Sequence, residues 1–155
     1  MKIMDFLCPD AIIIDLKAKD KKEAITEMVE LLKRSNKIKN TSEVIDILLQ
    51  REKLGSTGIG QGVAIPHSKV DSISKQIGAL GISHKGIDFE ALDGADVHLI
   101  FLLIYPLSGE PAENSGHLQA MACVSRLFKN KSLRNAILNA NTPAEVISII
   151  QKTNT

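Results

Sequence analysis

Apolar positions recur along this chain with two periods, one helical and one extended. Ala24, Ile25, Met28, Val29, Leu31 and Leu32 fall on one face of a helix that follows Asp20. Glu23, three positions after Asp20, completes a capping-box arrangement. A second helix is predicted from about Thr41, with Asn40 as cap and Glu43 at the third position, ending near Arg51–Lys53. A third, in "HLQAMACVSRLFKN", carries a stripe of Leu118, Met121, Val124, Leu127 and Phe128. His117 lies in its first turn, four residues before Met121 and so at the edge of that stripe. A short helix is expected around 132–139. The last opens at Thr142-Pro143-Ala144-Glu145, with a cap, a proline at the first helical position and a glutamate to close the box.

Between these lie runs of strand character: "AIIIDL" (11–16), "VAI" (63–65), "IGALGIS" (77–83) and "VHLIFLLIY" (97–105). Pro66 ends the second run or pushes it to a sheet edge. The last run lacks polar alternation and suits a central strand. "SGEPAENSG" (108–116) reads as a loop. No repeat or composition break divides the chain, so a single domain spanning 1–155 is expected. Its class is α/β: a mixed sheet flanked by helices on both faces, with a strand order that periodicity does not reveal.

Composition narrows the function. A net charge of +1, 3% aromatic residues and no Trp argue against nucleic-acid binding, which needs a basic face and stacking platforms. Cys8 and Cys123 form no paired motif, consistent with a reduced, cytoplasmic protein. Asp5, Asp10 and Asp15 interrupt the N-terminal apolar residues, which excludes a signal peptide. The run 97–105 is too short to span a bilayer, so no membrane insertion is expected.

The most unusual stretch is "GSTGIGQGVAIPH" (55–67), with four of the chain's ten glycines immediately upstream of one imidazole. It is no Walker loop, because Gln61-Gly62 stands where Lys-Ser/Thr would be needed. It is no dinucleotide fingerprint either, because the glycines follow a helix rather than a strand. A tight helix-to-strand connection would account for them, and so would a cradle for a ligand. The four histidines, His67, His84, His98 and His117, lack metal-site spacing, so no metal or other cofactor is expected. His84 falls in a turn and His98 in a buried strand, and neither is given a role. His67 stands beside room left by glycines, and a free imidazole, with a pKa of ~6.5, offers a neutral nucleophilic nitrogen. Attack on a phosphoryl group would give a covalent phosphohistidine. Arg51, Ser56, Thr57 and backbone N–H groups among Gly55, Gly58, Gly60 and Gly62 are the local candidates to hold phosphate oxygens. Arg51 would also be favourable at a helix C-terminus without any ligand, and Ser56 and Thr57 also suit a turn.

"REKLGSTGIGQGVAIPHSK" (51–69) closely resembles the signature of the fructose/mannitol-type enzyme IIA domains of the bacterial phosphoenolpyruvate-dependent sugar phosphotransferase system, a family that includes the nitrogen-regulatory IIA proteins. "GISHKGIDFEALDGADVHLIFLLIYP" (81–106) and "GHLQAMACVSRLF" (116–128) resemble the family's following strand pair and its helix, in the expected order. The resemblance implies that His67 is the phosphorylated histidine, His117 a second active-site histidine and Arg51 the accompanying arginine. It also implies a phosphocarrier, HPr or its nitrogen-branch relative, as donor, and a IIB-domain cysteine as acceptor in the sugar branch. His98 in the strand, Ser68 in place of glycine and the loop 108–116 depart from the usual pattern. Two functions use the same site: phosphoryl carriage in sugar uptake, and regulation in which phosphorylation of His67 decides which target protein is bound. A small-molecule sensor with an inert glycine loop is the unrelated alternative.

Overall fold

The computed structural model describes residues 1–106 and 116–153, so the loop expected at 108–116 lies, apart from Gly116, outside the described residues. One 3₁₀ turn precedes β1 (Leu7–Ile13), which is followed by α1 (Lys21–Arg34) and α2 (Thr41–Leu54). Four strands come next, β2 (Gly58–Gly60), β3 (Val63–Ala64), β4 (His67–Val70) and β5 (Ile77–Ile87). The chain ends with β6 (Val97–Pro106), α3 (Gly116–Lys129), α4 (Lys131–Leu138) and α5 (Pro143–Gln151). The predicted caps are in place. Asp20, Asn40 and Thr142 each accept the amide of the glutamate three residues on, at 2.8, 3.1 and 3.1 Å.

The six strands form one mixed sheet in the order β1-β5-β6-β3-β2, with β4 also paired to β6. Alternate residues of β6 feed two cores. Leu99, Phe101 and Leu103 pack with α3, α4 and α5, whereas Ile100, Leu102 and Ile104 pack with α1 and α2. Both faces are therefore apolar, which is why this run shows no polar alternation. The layered α/β class is as the periodicity predicts.

Four expectations need correction. His84 lies within β5 rather than in a turn. The first strand runs over 7–13 rather than 11–16, and its ladder with β5 slips between Leu7 and Ile12. Pro9, which has no N–H to give, lies within that slip. The strand at 63–65 proves to be two pieces of one line. Val63 pairs with Leu99 and His67 with Leu103, so the register continues unchanged across Pro66. The stripe on α3 is rotated, because Ala120, Cys123, Val124, Leu127 and Phe128 are buried while Leu118 is 53% exposed. Leu118 precedes Ala120 by two positions, roughly 200° around the helix.

Phe101 sits at the centre of one core, edge-on to Phe6 at 5.9 Å and to Phe128 at 6.4 Å between ring centroids. Its ring occupies the space above Gly78, where an added Cβ would lie only 2.8 Å from it. Phe101→Ala is expected to cost about 3–5 kcal/mol through the cavity it leaves, read as a lower urea midpoint at unchanged slope.

Candidate functional site

Pro66 divides the strand without breaking its register, and the site is built on that division. Below it, β3 lies between β6 and β2; above it, β4 pairs with β6 alone. His67 thus begins an edge segment and is half-buried. Its Nδ1 lies 2.8 Å from the carbonyl oxygen of Ile65. A carbonyl only accepts, so Nδ1 carries the proton and Nε2 keeps its lone pair. That is the tautomer a nucleophile requires.

Register places the neighbours. His67 pairs with Leu103 and Lys69 with Tyr105, so His67 and Lys69 share the sheet face on which Leu103 meets α3. α3 brings His117 to this face from its first turn, where unpaired N–H groups and the helix dipole favour an anion. The imidazole of His117 stacks on the ring of Tyr105, with centroids 4.1 Å apart and planes 6° from parallel. Burial lowers the basicity of His117, and the charges of Lys69 and His67 lower it further. Burial raises the Tyr105 phenol, and the nearby Arg51 guanidinium pulls it partly back. Arg51 comes from the last turn of α2, which packs beside β4, and its Nη1 donates to the carbonyl of Gly55 at 3.0 Å. His67, His117 and Arg51 are therefore brought into one neighbourhood from a strand and two helices.

The glycine stretch is a small hairpin. β2 and β3 run antiparallel, and Gly60, Gln61 and Gly62 turn between them with φ of +96°, +58° and +78°. Its donors are largely engaged within the protein. Thr57 donates both its amide (3.2 Å) and its hydroxyl to the buried carboxylate of Glu52. Gly58 donates to Ser56 Oγ at 3.0 Å, Ser56 donates to the Phe89 carbonyl, and Gln61 donates to Asp93 at 3.0 Å. Gly60 and Gly62 back onto Asp93 and His98 respectively. Gly58 has no room for a side chain, since a Cβ would come within 2.8 Å of Ala91. The hairpin is bolted to the 88–98 segment on one side and to Glu52 on the other. Glu52 also binds Lys21 Nζ at 3.1 Å, and Lys21 lies 5.4 Å from the Phe89 ring centroid.

The remaining histidines have local partners: His84 Nε2 meets the Ile14 carbonyl at 2.9 Å, and His98 Nδ1 the Ser83 carbonyl at 2.8 Å. Glu52, Lys69 and Tyr105 escaped the sequence reading. Glu52 follows Val44 and Leu48 at four-residue spacing on the buried stripe of α2, which marks it as a buried carboxylate. Lys69 stands two residues from His67, and two is the period of a strand. Among the described residues no group of three or more His, Cys, Asp or Glu could hold a metal ion. Nor is any helix among them long and apolar enough to cross a membrane.

The mixed α/β sheet thus carries a half-buried imidazole on an edge segment, with an arginine brought to its neighbourhood from α2. A family model described as the phosphoenolpyruvate-dependent sugar phosphotransferase system, EIIA 2, matches residues 5–153, and the chain belongs to that family. It is 34% identical over 152 residues to the fructose-specific EIIABC component of Bacillus subtilis (strain 168), covering 98% of this chain but only 23% of that protein. The crystal structure of the nitrogen regulatory protein IIA-Ntr from Neisseria meningitidis superposes with a TM-score of 0.84 at 34% identity, over 96% of this chain and 98% of that one. Enzyme IIA for mannitol from Escherichia coli, solved in complex with its phosphorylated IIB enzyme, shares the fold with a TM-score of 0.76 at 21% identity, over 92% of this chain and 95% of that one.

Two outcomes are expected. In nitrogen NMR spectra of the neutral protein, His67 should show a protonated Nδ1 and a bare Nε2; the opposite tautomer would remove the basis for attack through Nε2. Thr57→Val should destabilise the fold by roughly 1–3 kcal/mol, because it leaves a buried Glu52 oxygen without its hydroxyl donor. Thr57→Ser should restore most of that loss in the same denaturation experiment.

Proposed function

We propose that this protein is a cytoplasmic phosphoryl carrier of the phosphoenolpyruvate-dependent sugar phosphotransferase system, accepting phosphate on His67 from an HPr-type phosphocarrier and passing it to a IIB cysteine. The observation that carries this reading is the His67 Nδ1–H bond to the Ile65 carbonyl, which leaves Nε2 as the free nitrogen. In the first transfer, the Nε2 lone pair forms a bond to phosphorus as the N–P bond of the donor phosphohistidine breaks. The donor, protonated on its other ring nitrogen, leaves as neutral imidazole. His67 becomes a phosphoimidazolium whose Nδ1–H stays on the carbonyl. In the second, a IIB thiolate attacks phosphorus, the Nε2–P bond breaks and His67 returns to its starting tautomer. No proton has to leave the ring at either step.

Arg51 offsets charge on the equatorial oxygens, and His117 offers an N–H to them from the first turn of α3. Ser56, Thr57, Gly58, Gly60 and Gly62, first candidates for phosphate contacts, support this chemistry from behind. Their shape and internal hydrogen bonds fix the strand that leads into His67.

A regulatory reading rests on the extent of the match to the nitrogen regulatory protein of Neisseria meningitidis, which covers nearly the whole of both chains. It uses the same first step, after which the phosphorylation state of His67 selects a target protein.

Incubation with phosphoenolpyruvate, enzyme I and HPr should add one acid-labile phosphoryl group, seen by mass. His67→Ala should abolish the gain. His117→Ala should still accept phosphate while onward transfer slows by roughly 10²-fold, the cost of one lost transition-state donor. Equal and complete loss in both variants would overturn the division of roles. Transfer of label to a IIB cysteine supports the carrier; label that is accepted and retained supports the regulator.

A further inference from the structure

We propose that Tyr105 is a positioning residue, the platform that fixes the plane of the His117 imidazole so that its ring edge faces the phosphate on His67. This rests on the phosphoryl-transfer reading and deepens it. The chain's only tyrosine stands at the end of β6, where its register partner is Lys69. Two residues earlier Leu103 pairs with His67, so the Tyr105 ring emerges on the same sheet face as the reacting imidazole. Its ring then lies parallel to His117 at 4.1 Å.

The geometry explains why a stack is used here. A hydrogen bond fixes His67 by engaging Nδ1, at the expense of one nitrogen. Stacking fixes His117 through the face of its ring, and both nitrogens lie on the edge. The second histidine is thereby oriented with its polar groups still available. The phenol end lies in the field of Arg51, so one aromatic ring touches the histidine and adjoins the cation that together would contact the phosphate.

Several groups surround His117: His67 and Lys69 from β4, Tyr105 from β6, and Arg51 from α2 near the phenol. On α3 itself, residues 116 and 118–121 carry no titratable group. Burial is the leading cause that lowers the basicity of His117. Removing the covering ring should therefore raise it toward the free value of 6.5.

The test compares Tyr105→Phe and Tyr105→Leu with the parent protein. Transfer from the phosphorylated protein to a IIB domain is measured together with histidine titrations by NMR on the unphosphorylated protein. Tyr105→Leu should lose about 10- to 100-fold in kcat of that onward step with KM for the IIB domain nearly unchanged, the size expected for a misplaced group. The midpoint of His117 should move up in that variant. Tyr105→Phe keeps the stack and should retain both properties. A parent-like kcat in Tyr105→Leu, an unmoved His117 titration, or equal damage in both variants would overturn the proposal.

Should Tyr105→Leu fail to fold, the tyrosine emission of the parent protein still decides, because no Trp masks it. Emission that follows protonation of His117, and loses that response in His117→Ala, supports the stack; emission blind to both overturns it. Absence of phosphate uptake by the parent protein would sink the carrier reading separately, since the titrations and emission need no phosphate.

Discussion

A single constraint organises the site: a strand that keeps its register through a proline. Had the ladder slipped by one residue at Pro66, every side chain of β4 would have changed face, and His67 would point toward α1 and α2. Because the offset against β6 is preserved, His67 emerges toward α3. The interruption is as important as the continuity. Beyond Ala64 the line loses its β2 neighbour, which leaves His67 on an edge segment where its ring can turn back to the Ile65 carbonyl. Location and tautomer thus come from the same local feature.

The helical layers then contribute one group each. α2 packs with α1 on one face, and its C-terminal turn carries Arg51 past the edge strand β4. α3 packs on the opposite face and presents His117 from its N-terminal turn. On the proposed chemistry, a pair of groups drawn from opposite layers depends on the rigidity of both. The Lys21–Glu52–Thr57 network serves that rigidity, tying the start of α1 to the end of α2 and the glycine hairpin. Buried ion pairs of this kind add little net stability compared with apolar packing, but losing one partner strands a charge. Its value lies in fixing the relation of Arg51 to the strand.

Helices, caps and the central strand were legible in the sequence because each has a local cause. Asp20, Asn40 and Thr142 announce helix starts through chemistry within three residues. The face of α3 was misread at Leu118, because a stripe of Leu and Met competes with one of Ala and Cys, and only the packed core decides between them. The short strands β2 and β4 were missed because three or four residues give no period to count; β2 pairs only across the glycine turn with β3, and the partner of β4 lies about 36 positions away. His67, His117 and Arg51 stood out by residue type and by family resemblance. Tyr105 did not, since its part depends on register, on a helix after a loop, and on a ring-to-ring distance.

On the proposed chemistry, carrier and regulator begin with an identical physical event. A phosphoryl group adds close to two negative charges to a surface where Arg51 and Lys69 had set the field. A regulator needs only that change of charge, read by whatever docks there. A carrier needs more, because the next nucleophile must approach phosphorus from the side opposite Nε2. The donor's leaving nitrogen occupied that same side one step earlier, so phosphocarrier and acceptor must use overlapping surfaces in turn. The two branches therefore differ in the shape of the partner rather than in the site, and a sequence that specifies the site in full is compatible with both.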